Sequence, residues 1–245
     1  MATMPIGVPD PGFGIDDVIP SRPGTWTSEV AGHYYVDNDN GTDSGRTYGT
    51  PAAPRRSIPD PIPAGAYIEV ENEYNELTYG AIRLDSSGTS GSPVWITGSK
   101  ESGATHSFTT ATMRIKGSYL YLDGLEINSG CKIAIGDSAS GYAADHIVVR
   151  NCNVQGRTSD TGGTLIGVWG DSPSSKSQYI VLYNNTAFGF GNLASPNDDD
   201  CHLFSFQGYG DHIWLLNNVA HTSSGSGLQI NHGGPVSATY NIYAG

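Results

Sequence analysis

Three consecutive carboxylates, Asp198, Asp199 and Asp200, stand immediately before Cys201 and His202 and form the densest titratable cluster of the chain. Neighbouring side chains on an extended segment point apart, but a bent loop brings two of the three together. Two carboxyls so placed share acid and base roles in glycoside cleavage or hold Ca²⁺ through hard oxygen ligands. The plain alternative is a solvated acidic turn. Asp199 and Asp200 are the first catalytic candidates. His232, which closes the segment Gln229-Ile230-Asn231-His232, is the third, as a proton carrier. Its plain alternative is a bond to the adjacent turn.

A second group is suited to binding. Trp169, Gln207, Gln229 and Asn231 would offer one aromatic plane beside amide donors and acceptors. A sugar stacks its apolar ring face on indole and needs both donors and acceptors for its hydroxyls. Elimination from an acidic sugar would further need a cation to neutralise the uronate carboxylate. Arg157 and Arg150 are the basic residues nearest this group in the repeat pattern, with Lys176 in a loop. Among other histidines, His202 is expected to point inward by alternation, and His221 is a lesser candidate. His146 and His212 recur at one repeat position and read as structural.

The elements that must position these residues are repeats. Ile147-Val148-Val149-Arg150-Asn151, Ile180-Val181-Leu182-Tyr183-Asn184 and Ile213-Trp214-Leu215-Leu216-Asn217 share one pattern at 33-residue spacing, and related copies open at Leu120 and Ile242. A fixed period of this length marks a solenoid coil. Each unit carries a second short strand, at residues 132–136, 165–169, 203–207 and 228–232. Alternation then stacks Ile133 and Ile135, Ile166 and Val168, Phe204 and Phe206, and Leu228 and Ile230 as inward columns. Outward lie Ala134, Gly167, Ser205 and Gln229, and beside them Gly136, Trp169, Gln207 and Asn231. Asn151, Asn184 and Asn217 end their strands, where asparagine tolerates left-handed φ, and are expected to form an inward asparagine ladder.

Composition agrees. With 33 glycines, 14 prolines and 15% charged residues, the chain favours a turn-rich all-β fold over a helical bundle. Its 24 acidic and 12 basic residues give a net charge of −12, which opposes nucleic-acid and anionic-membrane binding. A glycan or a metal ion fits better. Cys131, Cys152 and Cys201 lack CxxC spacing and read as packed thiols. No apolar run approaches the roughly 18 residues of a membrane span, so no membrane insertion is expected. Residues 1–32 are rich in Pro, Gly and Asp without periodicity and read as an extended arm that covers a face or frays. Residues 33–245 are expected to form the β-helix domain.

The opening Tyr34-Tyr35-Val36-Asp37 and Asn40-Gly41-Thr42-Asp43, the following strand Ala64 to Val70, the repeats, and the segment Ser224 to Gly233 together resemble secreted bacterial proteins of the pectate-lyase-like superfamily. The resemblance runs from Tyr34 to Gly245. It implies a right-handed parallel β-helix, location outside the cell or in the periplasm, and a polysaccharide bound along an exposed sheet. It spans lyases, glycoside hydrolases, esterases and tailspikes. Asp199-Asp200-Cys201 is similar to the Asp-Asp-Cys element of polygalacturonase-type hydrolases. That pattern departs at Gly225-Ser226-Gly227, where serine stands for histidine, and Arg114-Ile115-Lys116 matches its Arg-x-Lys but precedes the acidic element.

Three readings remain open. The first is a polysaccharide-cleaving enzyme, lyase ahead of hydrolase, with Ca²⁺ as the ion an acidic substrate would call for. The second is a noncatalytic glycan-binding or tailspike-like module. The third is a scaffold that forms a homo-oligomer through an open C-terminal coil, since Ile242-Tyr243-Ala244-Gly245 reads as the start of a further turn.

Overall fold

A computed structural model describes residues 4–75, 81–109, 112–128, 130–136, 143–194, 200–231 and 241–245. All strand-to-strand ladders among these residues are parallel, and each strand pairs with the equivalent one of the neighbouring coil. The chain is the parallel β-helix its repeats imply, wound right-handed as parallel crossovers require. Each full coil has three faces.

The first face carries His33–Asp37, the start of Tyr67–Tyr74, Val94–Gly98, the end of Thr112–Asp123, Ala144–Arg150, Ser177–Tyr183, Gly210–Leu216 and Ile242–Ala244. The second is short: the end of Tyr67–Tyr74, then His106–Phe108, Glu126–Ile127, Asn153–Gln155, Thr186–Phe190 and Val219–Ser223. The third holds Ile82–Ser87, the start of Thr112–Asp123, Lys132–Ile135, Gly163–Gly170, Cys201–Gly208 and Leu228–Asn231.

The expected inward columns are the core of the third face. Ile82, Met113, Ile133, Ile166 and Phe204 stack in register, as do Leu84, Ile115, Ile135, Val168 and Phe206, and all ten are buried. Leu228 and Ile230 continue both columns in register but are 39% and 50% exposed, with no further strand stacked on them among the described residues. Burial at roughly 25 cal/mol per Å² of apolar surface is the main force holding such coils together.

The asparagine ladder differs from expectation. Asn151, Asn184 and Asn217 take the left-handed conformation (φ +56°, +54°, +54°) at the corner between the first and second faces. Their side chains lie outside. Asn184 Nδ2 donates to Asn151 Oδ1 (2.8 Å), and Asn217 Nδ2 to Asn184 Oδ1 (2.9 Å). The inward ladder is one residue later. Asn185 Oδ1 accepts from Cys152 N–H (3.0 Å), Asn218 Oδ1 from Asn185 N–H (2.9 Å), and Asn185 Nδ2 reaches the Val149 carbonyl (2.8 Å). The corner residue turns its own side chain to solvent, so the next residue is the one aimed at buried backbone groups that need partners.

A parallel pattern explains the repeated histidines. Tyr119, His146, Tyr179 and His212 all have φ near +50° and stack ring on ring, with centroids 4.4, 4.7 and 4.9 Å apart. The three cysteines are buried. Burial pushes the Cys152 thiol up to about 12.

Residues 4–32 run along the solenoid axis over the outer side of the first face, from its last coil to its first. The Trp214 indole donates to the Pro9 carbonyl (2.8 Å), and Gly14 presses against Val148 so closely that a Cβ there would fall 2.5 Å from its Cγ2. Tyr121 donates to Asp17 (2.8 Å), Arg22 pairs with Glu69 (3.1 Å) and with Glu101, and Trp26 meets Tyr35 edge-on at 5.5 Å. Beneath this arm lies an in-register outward column of Tyr67, Trp95, Tyr121, Val148, Val181, Trp214 and Tyr243.

Candidate functional site

The third face presents its outer side as two adjacent rows. One runs Arg83, Arg114, Ala134, Gly167, Ser205, Gln229, and the other Asp85, Lys116, Gly136, Trp169, Gln207, Asn231, in the strand register wherever a ladder bond is formed. Six strands at a spacing of about 4.8 Å make this face about 24 Å long. It changes character along its length.

At the middle, the Trp169 indole lies back over Gly167, where a Cβ would sit 1.9 Å from Cη2. Glycine is therefore what lets the ring lie flat. Next to it, Gln207 Nε2 donates to Ser205 Oγ (2.9 Å) and Gln229 Oε1 (3.3 Å), and Ser205 Oγ donates to Gln229 Oε1 (3.0 Å). This network fixes the two amides relative to each other, and Gln207 stands in register with Trp169. Asn231 stands in register with Gln207. Trp169, Gln207, Gln229 and Asn231 are thus brought onto one surface.

At the other end, Arg83 and Arg114 are direct neighbours, and Lys116 Nζ bonds Asp85 Oδ2 (2.7 Å). With Asp60 and Leu84 they line a small cleft of about 30 Å³. Two guanidinium groups side by side repel, so the carboxylates Asp60 and Asp85 in the same cleft matter to its stability. Sequence reasoning did not propose Arg83, Arg114 or Lys116 for this surface. The signal was present: Ile82-Arg83-Leu84-Asp85 and Met113-Arg114-Ile115-Lys116 both alternate apolar and charged residues, the pattern of a half-exposed strand.

The remaining expected residues are dispersed. Asp199 and His232 lie outside the described residues. Asp200 is described, and its Oδ1 meets His202 Nε2 at 3.2 Å, while His202 Nδ1 meets Ser226 Oγ at 2.8 Å. The His202 side chain is only 9% exposed, whereas Asp200 is 77% exposed. Arg157 is exposed in the loop between the second and third faces, its chain laid over Gly130, and is not part of the two outward rows. Arg150 lies elsewhere than expected. It is buried on the first face, bonded to Asp123 (2.8 Å) and to the carbonyls of Gly14 and Ile15, so it anchors the arm. Lys176 pairs with Asp211 (3.2 Å).

No group of three or more metal-ligating side chains occurs among the described residues. No helix among them is long and apolar enough to cross a membrane.

No protein-family model and no curated protein matches the sequence. Among solved structures the chain is similar to a rhamnogalacturonan lyase, with a TM-score of 0.43 and 15% identity over 86% of this chain and 65% of that one.

Proposed function

We propose that the outer side of the third face binds a polysaccharide carrying carboxylates, and that the protein cleaves it by elimination outside the cell. The observation behind this reading is the in-register surface that passes from Arg83, Arg114 and Lys116, through Trp169, to the bonded amides of Gln207 and Gln229. Guanidinium groups recognise carboxylates in a fork geometry. In a chain of net charge −12, a cleft whose three cations, Arg83, Arg114 and Lys116, outnumber its two carboxylates, Asp60 and Asp85, favours an acidic over a neutral glycan. Elimination requires that the uronate carboxylate be neutralised, that a base take the α-proton and that the glycosidic C–O bond β to the carboxylate break to release the alcohol. Arg83 and Arg114 are the neutralising groups, and His232, the proton carrier expected from the sequence, is the candidate base. Ca²⁺ would add to the neutralisation.

A noncatalytic binding module is the second reading. It is favoured by Asp85, whose carboxylate is bonded to Lys116 rather than poised for proton transfer.

The test is incubation with acidic and neutral polysaccharides, with and without Ca²⁺, reading ultraviolet absorbance of unsaturated products, reducing ends and binding. Absorbance on an acidic substrate supports elimination. Reducing ends alone replace it with hydrolysis, binding without products leaves the module, and no binding to any acidic glycan overturns the reading.

A further inference from the structure

The strand register that builds the third face also creates a contact that neither the glycan surface nor the core requires. Ser226 precedes Leu228–Asn231 by two positions, and His202 stands equally far before Phe204, so the Phe204–Leu228 pairing sets Ser226 beside His202 in the adjoining coil. Backbone bonds hold that placement: Leu203 N–H donates to the Ser226 carbonyl and Phe204 N–H to the Gly227 carbonyl, each at 3.0 Å. Asp200 is fixed from the other side, its carbonyl accepting from Gly163 N–H (2.8 Å).

The imidazole of His202 therefore touches a carboxylate through one nitrogen and a hydroxyl through the other, at 3.2 and 2.8 Å. Ionised Asp200 can only accept, so Nε2 carries the proton. In the neutral ring Nδ1 is then the acceptor, and the Ser226 hydroxyl donates to it. That is the protonation pattern of an activated serine: nucleophile, base, and a group that orients the base. Burial of His202 holds the ring in place, while Ser226 is only partly buried.

We propose that Ser226, His202 and Asp200 form an ester-hydrolysing site, with Ser226 as nucleophile, His202 as general base and acid, and Asp200 as positioning residue. Ser226 Oγ attacks the carbonyl carbon of an acyl ester and its proton passes to His202 Nδ1. The tetrahedral adduct collapses by breaking the bond to the alcohol oxygen, which leaves with that proton. Water then attacks the acyl-serine, again losing a proton to Nδ1, and a carboxylic acid is released as Ser226 recovers its hydrogen. Water is the only co-reactant.

The substrate class is a small acyl ester on a sugar hydroxyl. Ser226 lies three residues, about 10 Å, along the chain from Gln229, one of the amides of the glycan surface. Only this choice of alcohol rests on the glycan reading. The ester chemistry does not.

The experiment uses the full chain with p-nitrophenyl acetate and a fluorophosphonate probe, neither of which contains a sugar. The expected result is hydrolysis that falls at least about 100-fold in Ser226→Ala, probe mass on the Ser226 peptide, and loss of labelling in His202→Gln. Asp200→Asn should lower kcat about tenfold or more with KM unchanged, which a merely structural contact would not do. Wild-type protein that is folded by circular dichroism yet takes no probe at Ser226 overturns the proposal, as does Ser226→Ala hydrolysing at the wild-type rate. Because the probe reads the wild-type chain, the result does not depend on a variant folding. Activity on the small ester without glycan binding would sink the polysaccharide reading and leave this one standing.

Discussion

The first and third faces are built from the same coils, yet their outer sides have opposite fates. On the first, aromatic and aliphatic residues are stacked in register and covered by residues 4–32. On the third, the outer rows are polar or small, Trp169 lies among hydrogen-bonded amides, and no segment plays the arm's part among the described residues. An apolar outer column obliges the chain to cover it, since a large exposed apolar patch is a liability. A polar one with a single flat indole can stay in water and receive a ligand. The burial is deep enough to show in the phenols: Tyr67, which donates to Glu69, and Tyr121, which donates to Asp17, are both held well above the ordinary tyrosine range, chiefly by burial.

The sharpest way to break this contrast is to unfasten the arm. Glu69 is fully buried and its carboxylate faces Arg22. Arg22→Ala removes its cationic partner and leaves it only the Tyr67 hydroxyl and the Lys100 N–H, and a loss of about 3 kcal/mol is expected in denaturant titration. Loss below about 1 kcal/mol would mean that the arm is dispensable. A chain comprising residues 33–245 alone is expected to expose the aromatic column and bind a hydrophobic dye.

The corner asparagines supply an internal control within one turn. Asn185→Ala leaves the Cys152 amide and the Val149 carbonyl without their partner and should cost about 1–3 kcal/mol. Asn184→Gly, at φ +54°, removes only the two outer ladder contacts and keeps a residue that tolerates this conformation. Its expected cost is within about 1 kcal/mol. Equal losses would contradict the inner and outer assignment.

Acid should act on the first face. Burial alone would raise the Asp211 carboxyl, but the Asn241 amide, Lys176 and His212 outweigh it, and the net direction is down. A lowered carboxyl stabilises the fold fully above its unfolded value and loses that contribution as pH falls through the folded one. Thermal melts should therefore decline below about pH 4, and less steeply in Asp211→Asn.

On the third face the expected stability effects are smallest. Trp169→Ala should change stability by under about 1 kcal/mol while weakening binding of an acidic glycan about tenfold by calorimetry. Undiminished binding would remove the indole from the site.

The repeat itself was legible because its cause is local. Alternation of Ile133 with Ile135 and Phe204 with Phe206 fixes which side chains share a face, and an asparagine every 33 residues fixes where the chain turns. Trp169, Gln207 and Gln229 followed from that alternation, and the row of Arg83 and Arg114 could have followed from it. The inner ladder did not, because at Asn184-Asn185 and Asn217-Asn218 the left-handed residue and the inward-facing residue are adjacent asparagines whose order only the backbone path distinguishes.

Other features have no local cause at all. Trp214 bonds Pro9 across 205 positions, Arg150 reaches Gly14 across 136, and His202 meets Ser226 across 24. A sequence read along its length carries the period of the coil and the faces of its strands. What crosses from one coil to another, or from the arm to the wall, is decided by register and packing, because partners distant in the chain share no periodic signal until the solenoid brings them together.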